Sequence, residues 1–146
     1  MIYLAAPYTH PDLATRNWRY QRAKQALFAL WDAEEAACCP IILGHEYEQR
    51  QRTRPGEKPH AFWMLMARAQ LSSCTRLYVL TLPGWDTSLG VREEVALAYG
   101  MGRPVQGYAP FDHCQDVSGS YILASCGVAL RKTKPSVSLP ERKEEE

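Results

Sequence analysis

A chain of 146 residues, 46% apolar and 23% charged, has the size and make-up of one globular domain. Its net charge of +1 gives no field that would draw a nucleic-acid polymer or a membrane surface, and no run approaches the roughly 20 apolar residues that span a bilayer. Five cysteines (Cys38, Cys39, Cys74, Cys114 and Cys126), odd in number and without a CxxC, argue against a disulfide framework or a zinc centre and for buried thiols in a reducing, cytoplasmic setting.

The opening MIYLAAPYTHPD has no basic stretch and a short apolar run, so Met1 to Ala6 reads as a first strand rather than a signal peptide. Pro7 to His10 form a loop, and Pro11 opens a helix that runs to about Ala36, with Leu27, Leu30 and Trp31 on its apolar side and Arg16, Arg19, Arg22 and Lys24 on a basic one. Ala37 to Leu43 reads as a second strand ended by Gly44. The polar HEYEQRQRTRPGEKP that follows reads as a long loop, functional or flexible. A second helix is expected from about Pro59 to Ser73, with Phe62, Leu65, Met66 and Ala69 as its buried stripe.

RLYVLTL, Arg76 to Leu82, is nearly all apolar, as in a strand buried on both faces. LPGWDTSLG turns the chain into a third helix over Leu89 to Met101, and Pro104 to Tyr108 forms a fourth strand. Tyr121 to Leu130 fits a strand or a short helix, and residues 131–146 read as a polar, disordered tail behind a domain of residues 1–130. The alternation of strand and helix predicts an α/β three-layer sandwich on a four- or five-stranded parallel sheet with right-handed crossovers.

In such sheets ligands bind beyond the C-terminal strand ends, which here carry PYTH, GHEY and PGWDTSLG. Ser88 can cap the third helix, and with the free N–H groups of Leu89 and Gly90 it forms either an ordinary helix cap or an anion site. Val91, Glu94, Val95 and Ala98 share one helix face, so Glu94 falls on the apolar stripe. A carboxylate there is either paired with an arginine or used as a nucleophile or base. His45 and His10 could line the pocket, and Trp63 and Trp85 could stack on a base or belong to the core.

The opening IYLAAPYT, together with HAFWMLMARAQLSSCTRLYVLTLPGWDTSLGVREEVALAYGMGRPV, resembles the nucleoside 2-deoxyribosyltransferase-like superfamily, and most closely a bacterial and phage branch with an LPGW…S.GV..E signature. The resemblance covers roughly residues 1 to 110. It implies a flavodoxin-like or Rossmann-like fold and cleavage of the N-glycosidic bond of deoxynucleosides or nucleoside monophosphates. On that resemblance Glu94 is the nucleophile and Ser88, with Gly90, holds a 5′-phosphate. Pro7, Tyr8 and Thr9 touch sugar and base, Arg16 or Arg19 helps hold the phosphate, and His45 lines the site. The superfamily's aspartates near the middle of the second helix and before the third strand are replaced here by Ala67 and Thr75.

The sequence therefore predicts an N-glycosidic enzyme, a deoxyribosyltransferase or an N-hydrolase. Its catalytic residues would be Glu94, Asp86 and Tyr8, with Trp85 in the pocket wall, and no metal or cofactor is expected. The alternative is a nucleotide-binding or sensing module of the same fold without turnover. The expected partners are a small nucleoside or nucleotide and a second copy of the chain. A surplus of large apolar groups (Trp63, Met64, Met66 and Tyr99) on the second and third helices predicts a homodimer or larger assembly through those helices.

Overall fold

The computed structural model describes residues 1–51 and 58–130. Four strands, β1 (Ile2–Ala5), β2 (Ala37–Cys38), β3 (Arg76–Leu80) and β4 (Val105–Tyr108), form one sheet in the order β2-β1-β3-β4. Every pairing is parallel, with Tyr3 opposite Cys38 on one side and Leu77 on the other. Five helices cover it: α1 (Leu13–Asp32), α2 (Pro40–Gln51), α3 (His60–Ser72), α4 (Leu89–Gly100) and α5 (Gly119–Ser125). A short 3-10 turn, Trp85–Thr87, precedes α4.

Strand alternation sorts the core into two layers. Ile2, Leu4, Tyr78 and Leu80 face α1 through Ala23, Ala26, Leu27 and Leu30. Tyr3, Ala5, Leu77 and Val79 face Ala67 and Leu71 of α3, Val91, Val95 and Ala98 of α4, and Ile122 of α5. The three-layer α/β sandwich is thus a flavodoxin-like arrangement with four strands. The chain moves outward from β1 to β2, then crosses back to β3 on the other face. The topological switch point therefore lies between the C-terminal ends of β1 and β3.

Several elements differ from the sequence reading. The strand expected over residues 37–43 is only two residues long, because Pro40 starts α2, and Gly44 lies inside that helix rather than ending a strand. Pro is well suited to the first helical turn, and Ile41 and Ile42 pack against the α1 layer, so tertiary burial overrides the β-branched run. The stretch expected as a long loop is accordingly helical as far as residue 51. Residues 52–57 lie outside the described residues, as does the tail of residues 131–146.

Helix α1 is shorter than expected: Asp12, not Pro11, sets its start by accepting bonds from the N–H groups of Ala14 and Thr15. The segment after β4 resolves to the helix α5, capped by Ser118. Helix α3 buries Ala67 and Leu71, while Leu65 and Met66 of the predicted stripe are 63% and 40% exposed.

The chain beyond β4 returns tightly onto it. A Cβ on Gly119 would stand 2.0 Å from the Val105 carbonyl oxygen, and one on Gly107 2.5 Å from that of Val117. The same segment is tied to the end of β3, where the Thr81 hydroxyl donates to the Gln115 carbonyl at 2.6 Å and the Trp85 indole N–H donates to the Gln115 side chain at 3.0 Å.

Candidate functional site

Helix α4 brings three of the expected residues together. Ser88 is its N-cap, with the hydroxyl accepting from the Val91 N–H at 3.3 Å. Gly90 sits one turn below Glu94: a Cβ at position 90 would stand 3.6 Å from Glu94 Oε1 and 4.0 Å from Ser88 Oγ. The Glu94 carboxyl therefore folds back over the helix N-terminus, beside the capping hydroxyl. Its helix face is otherwise apolar, since Val91, Val95 and Ala98 are fully buried.

Part of the Glu94 side chain reaches solvent, but its carboxyl is densely surrounded by protein. Desolvation pushes its pKa from 4.5 up to about 8, the Tyr3 hydroxyl pulls it partly back, and the neighbouring Glu93 charge raises it further. Tyr3, at the centre of β1, is wholly inaccessible. Its hydroxyl faces Glu94 without a hydrogen bond of good geometry to any described group. Burial and then the Glu94 carboxylate raise the Tyr3 pKa far out of range, so its phenol stays protonated. In the sequence Tyr3 carries no motif and stands as one residue of an apolar strand. A lone polar atom in an otherwise apolar strand was the available signal.

A second group forms where the β1–α1 loop meets α2. Tyr8 Oη lies 2.8 Å from Glu48 Oε2 and 2.9 Å from His45 Nδ1. A carboxylate only accepts, so the phenol proton lies on the bond to Glu48, and His45 must present Nδ1–H as donor to the phenol oxygen. Gln49 Nε2, 3.4 Å from His45 Nε2, fits that tautomer. Burial, then the bond to Glu48, raises the Tyr8 pKa. The His45 ring is buried and stacks on Tyr20 with centroids 3.8 Å apart, and the Tyr20 hydroxyl donates to Glu46. Glu48 escaped notice in the sequence because the stretch carrying it read as loop.

Arg19 joins the two sides of the switch point. Its Nη1 donates to the carbonyl of Thr9 at 2.9 Å and more weakly to that of Tyr8, and its Nη2 donates to that of Pro83 at 3.4 Å. Gly84, with φ of +89°, passes so close that a Cβ there would stand 2.5 Å from Nη2. Arg19 as a whole is 9% exposed, and partial desolvation of its guanidinium lowers its pKa; among the described residues it has no carboxylate within ion-pair distance, and Nε has no hydrogen-bond partner.

The remaining expectations fare differently. Pro7 is buried and Thr9 exposed, and Arg16 donates to the His10 carbonyl at the start of α1. Asp86 is exposed on the 3-10 turn, where its charge acts on Cys126 at the end of α5, not on Glu94. Trp85 is 2% exposed and packs in the core beside Tyr121, so it offers no open ring face to a base. Among the described residues no cluster of three or more His, Cys, Asp or Glu side chains could hold a metal ion. None of the described helices is long and apolar enough to cross a membrane.

A groove of about 560 Å³ opens elsewhere, between α3 and α4, and is lined mainly by Ala61, Met64, Leu65, Ala96 and Leu97, with Arg68 and Glu93. Its lining residues exclude Ala67, Leu71, Val91, Val95 and Ala98, which meet the sheet, so it lies on the outer side of the two helices, and it takes in Glu93 rather than Glu94.

No curated protein matches the chain. A family model matches residues 1–110, a span that begins with β1, ends just past β4 and contains Tyr3, Tyr8, Arg19, His45, Ser88, Gly90 and Glu94. With three quarters of its length so matched, the chain belongs to the family described as a domain of unknown function (DUF1937).

Proposed function

We propose that the protein cleaves the N-glycosidic bond of a nucleoside or nucleoside monophosphate, with Glu94 as nucleophile. The observation that carries this reading is the placement of Glu94: a carboxyl on an apolar helix face, pushed up to about 8, set between a buried phenol and a helix N-terminus beside the switch point. The resemblance to nucleoside 2-deoxyribosyltransferase-like proteins points to the same residue. Ionised Glu94 attacks C1′, the C1′–N bond breaks, and the base leaves with the electron pair and takes a proton. Water then releases the sugar from the glycosyl-enzyme; a second base in its place makes a transferase.

Tyr3 fits a positioning role, since its hydroxyl favours the ionised form of Glu94. Ser88 and the N–H groups at the start of α4 fit a phosphate or sugar oxygen, and Arg19, bonded to the Pro83 carbonyl, brings a positive charge to the loop that leads there. The Tyr8 proton is committed to Glu48, so Tyr8 fits an orienting role better than that of a general acid. Incubation with deoxynucleosides and their 5′-monophosphates, followed by chromatography for free base, tests the reading. Base release by the wild type and none by Glu94→Ala is expected. A wild type inert towards the whole panel sinks it.

One observation favours the rival, a nucleotide-binding module without turnover. Ala67 is buried next to the Tyr3 layer, so no second acid stands there, and Asp86 is too exposed to replace it. Tight binding of a monophosphate without cleavage, measured by calorimetry, would establish that alternative.

The finer assembly, a homodimer through α3 and α4, belongs to the same proposal. Leu65 and Met66 are exposed beside the α3–α4 groove, which is lined mainly by apolar side chains and whose Glu93 is already bonded to His60 at 2.7 Å, so apolar burial is what this face offers a second copy. Light scattering should give a dimeric mass that Leu65→Glu reduces to a monomer; a monomeric wild type removes the claim.

A further inference from the structure

Two thiols that the proposed chemistry does not use lie in contact: Cys38 Sγ and Cys74 Sγ are 3.8 Å apart. Cys38 is the last residue of β2, a two-residue strand at the edge of the sheet. Cys74 follows the end of α3, with its N–H donating to the Leu71 carbonyl. Cys38 is partly exposed and Cys74 is 1% exposed behind it, so a reagent reaches the first and the second stands ready to resolve. A disulfide needs the sulfurs about 2.05 Å apart, so they must close by roughly 1.8 Å. Side-chain rotation and a small shift of so short an edge strand supply that movement. The adjacent Cys39 does not compete: it is buried on the α1 side of the sheet, whereas Cys38 and Cys74 lie with the α3 and α4 layer.

We propose that Cys38 and Cys74 are a dithiol–disulfide couple, oxidised by a small disulfide such as oxidised glutathione. Cys38 gives up its proton to solvent and attacks one glutathione sulfur; the Cys38–glutathione bond forms and one glutathione leaves as a thiolate. Cys74 then loses its proton and attacks Cys38 Sγ, expelling the second glutathione. Two protein thiols are oxidised, one small disulfide is reduced to two thiols, and the departing thiolates take up the two protons.

Burial, then the neighbouring Cys74, pushes the Cys38 thiol up to about 12, so the exchange is slow at neutral pH and accelerates as pH rises. The pair is thus a slow staple for sustained oxidation, not a rapid peroxide sensor. It closes a ring of chain containing α2, which carries His45 and Glu48, and it lies beside Tyr3, the register partner of Cys38. Oxidation ties the edge strand that leads into α2 to the residue that leads into β3. This inference does not depend on the glycosidic reading.

The test uses the full folded chain equilibrated in a mixture of reduced and oxidised glutathione at pH 8.5, quenched with acid. Intact mass should show the loss of two hydrogens. Non-reducing peptide maps should join the peptide containing Cys38 to that containing Cys74, in the wild type and in Cys39→Ser, but not in Cys38→Ser. Cys39→Ala serves if a buried serine hydroxyl at that position unsettles the fold. The Tm of the oxidised form should rise by roughly 5 °C or more and return with dithiothreitol. Linkage through Cys39, glutathione retained on Cys38, no oxidation of the folded chain, or a Tm that fails to rise each overturns the proposal.

Discussion

The Tyr3 hydroxyl and the Glu94 carboxyl face each other across the sheet–helix interface, one wholly buried at the centre of β1, the other at the start of α4. Each disturbs the other. The phenol lowers a carboxyl pKa that burial has raised, and the carboxylate holds the phenol protonated. If Glu94 is the nucleophile, kcat/KM rises with pH and levels above about pH 8. Removing the hydroxyl in Tyr3→Phe moves that rising limb to higher pH. Stability should change by less than about 1 kcal/mol, because the lost hydroxyl has no well-formed bond to forfeit. A pH–rate profile of both proteins, with a urea melt of each, checks the two parts separately.

Glu94 also ties stability to pH, with a definite sign. Its pKa is higher folded, at about 8, than its ordinary 4.5, so between those values the folded state holds a proton that the unfolded chain has lost. The stabilising contribution is fully present below about pH 4.5 and is lost as pH rises through about 8. Allowing for partial exposure of the side chain, the wild type should lose on the order of 2–4 kcal/mol across that window from this group. Glu94→Gln, neutral throughout, should flatten the slope and be the more stable protein above pH 8. Denaturant unfolding at a series of pH values decides it; parallel curves for the two proteins would refute the assignment.

Gly90 allows the site to be blocked without harming the fold. A methyl there meets only ordinary contacts, 3.6 Å from Glu94 Oε1 and 4.0 Å from Ser88 Oγ, and Gly90 does not have a positive φ. Gly90→Ala should therefore be stabilising by up to about 1 kcal/mol. The same methyl fills the space between carboxyl and hydroxyl, so ligand binding or turnover should fall at least tenfold. A thermal melt and a binding isotherm read the two effects; weaker binding accompanied by a lower Tm would mean that the fold, not the site, was damaged.

Gly84 should behave oppositely. Its left-handed backbone and the Arg19 guanidinium beside it leave no place for a Cβ. Gly84→Ala should cost roughly 1–3 kcal/mol from backbone strain alone, and more if Arg19 is displaced from the carbonyls of Thr9 and Pro83. Chemical denaturation measures this, and a change below 0.5 kcal/mol would show that the clasp yields easily.

How much of this was legible in the sequence varies by element. Helix α4 and its entry were, because Ser88, the Val91, Val95 and Ala98 spacing and the run before Pro83 all agree. That agreement also placed Glu94 on the buried face. Helix α2 was not, because Ile41, Ile42 and Leu43 followed by Gly44 carry a strand's local preference, and only packing against α1 reveals a helix. Losing α2 hid Glu48, and with it the reason Tyr8 is held. The stripe on α3 misled for a related reason. Leu65 and Met66 do repeat at helical spacing, but periodicity marks an apolar face without saying which side meets the sheet, and Ala67 and Leu71 meet it. Tyr3 looks in the sequence like one more apolar strand residue, since its role depends on a helix nearly ninety positions away.

The close return of the chain onto β4 bears on how copies of this protein can join. The Leu77 N–H bonds to the Pro104 carbonyl, so the Val105 carbonyl points away from β3, towards the outer margin of the sheet, and there Gly119 rests against it. That margin is shielded by the chain itself. The opposite margin, β2, offers only two residues. Neither end is a template on which a foreign strand could zip, so sheet-to-sheet polymerisation is suppressed without a charged or proline-guarded border strand. Growth of the sheet from one molecule into the next is closed off, and helical faces are left to carry any association. A side chain larger than hydrogen at position 119 would pry the shield loose and expose β4 to its neighbours.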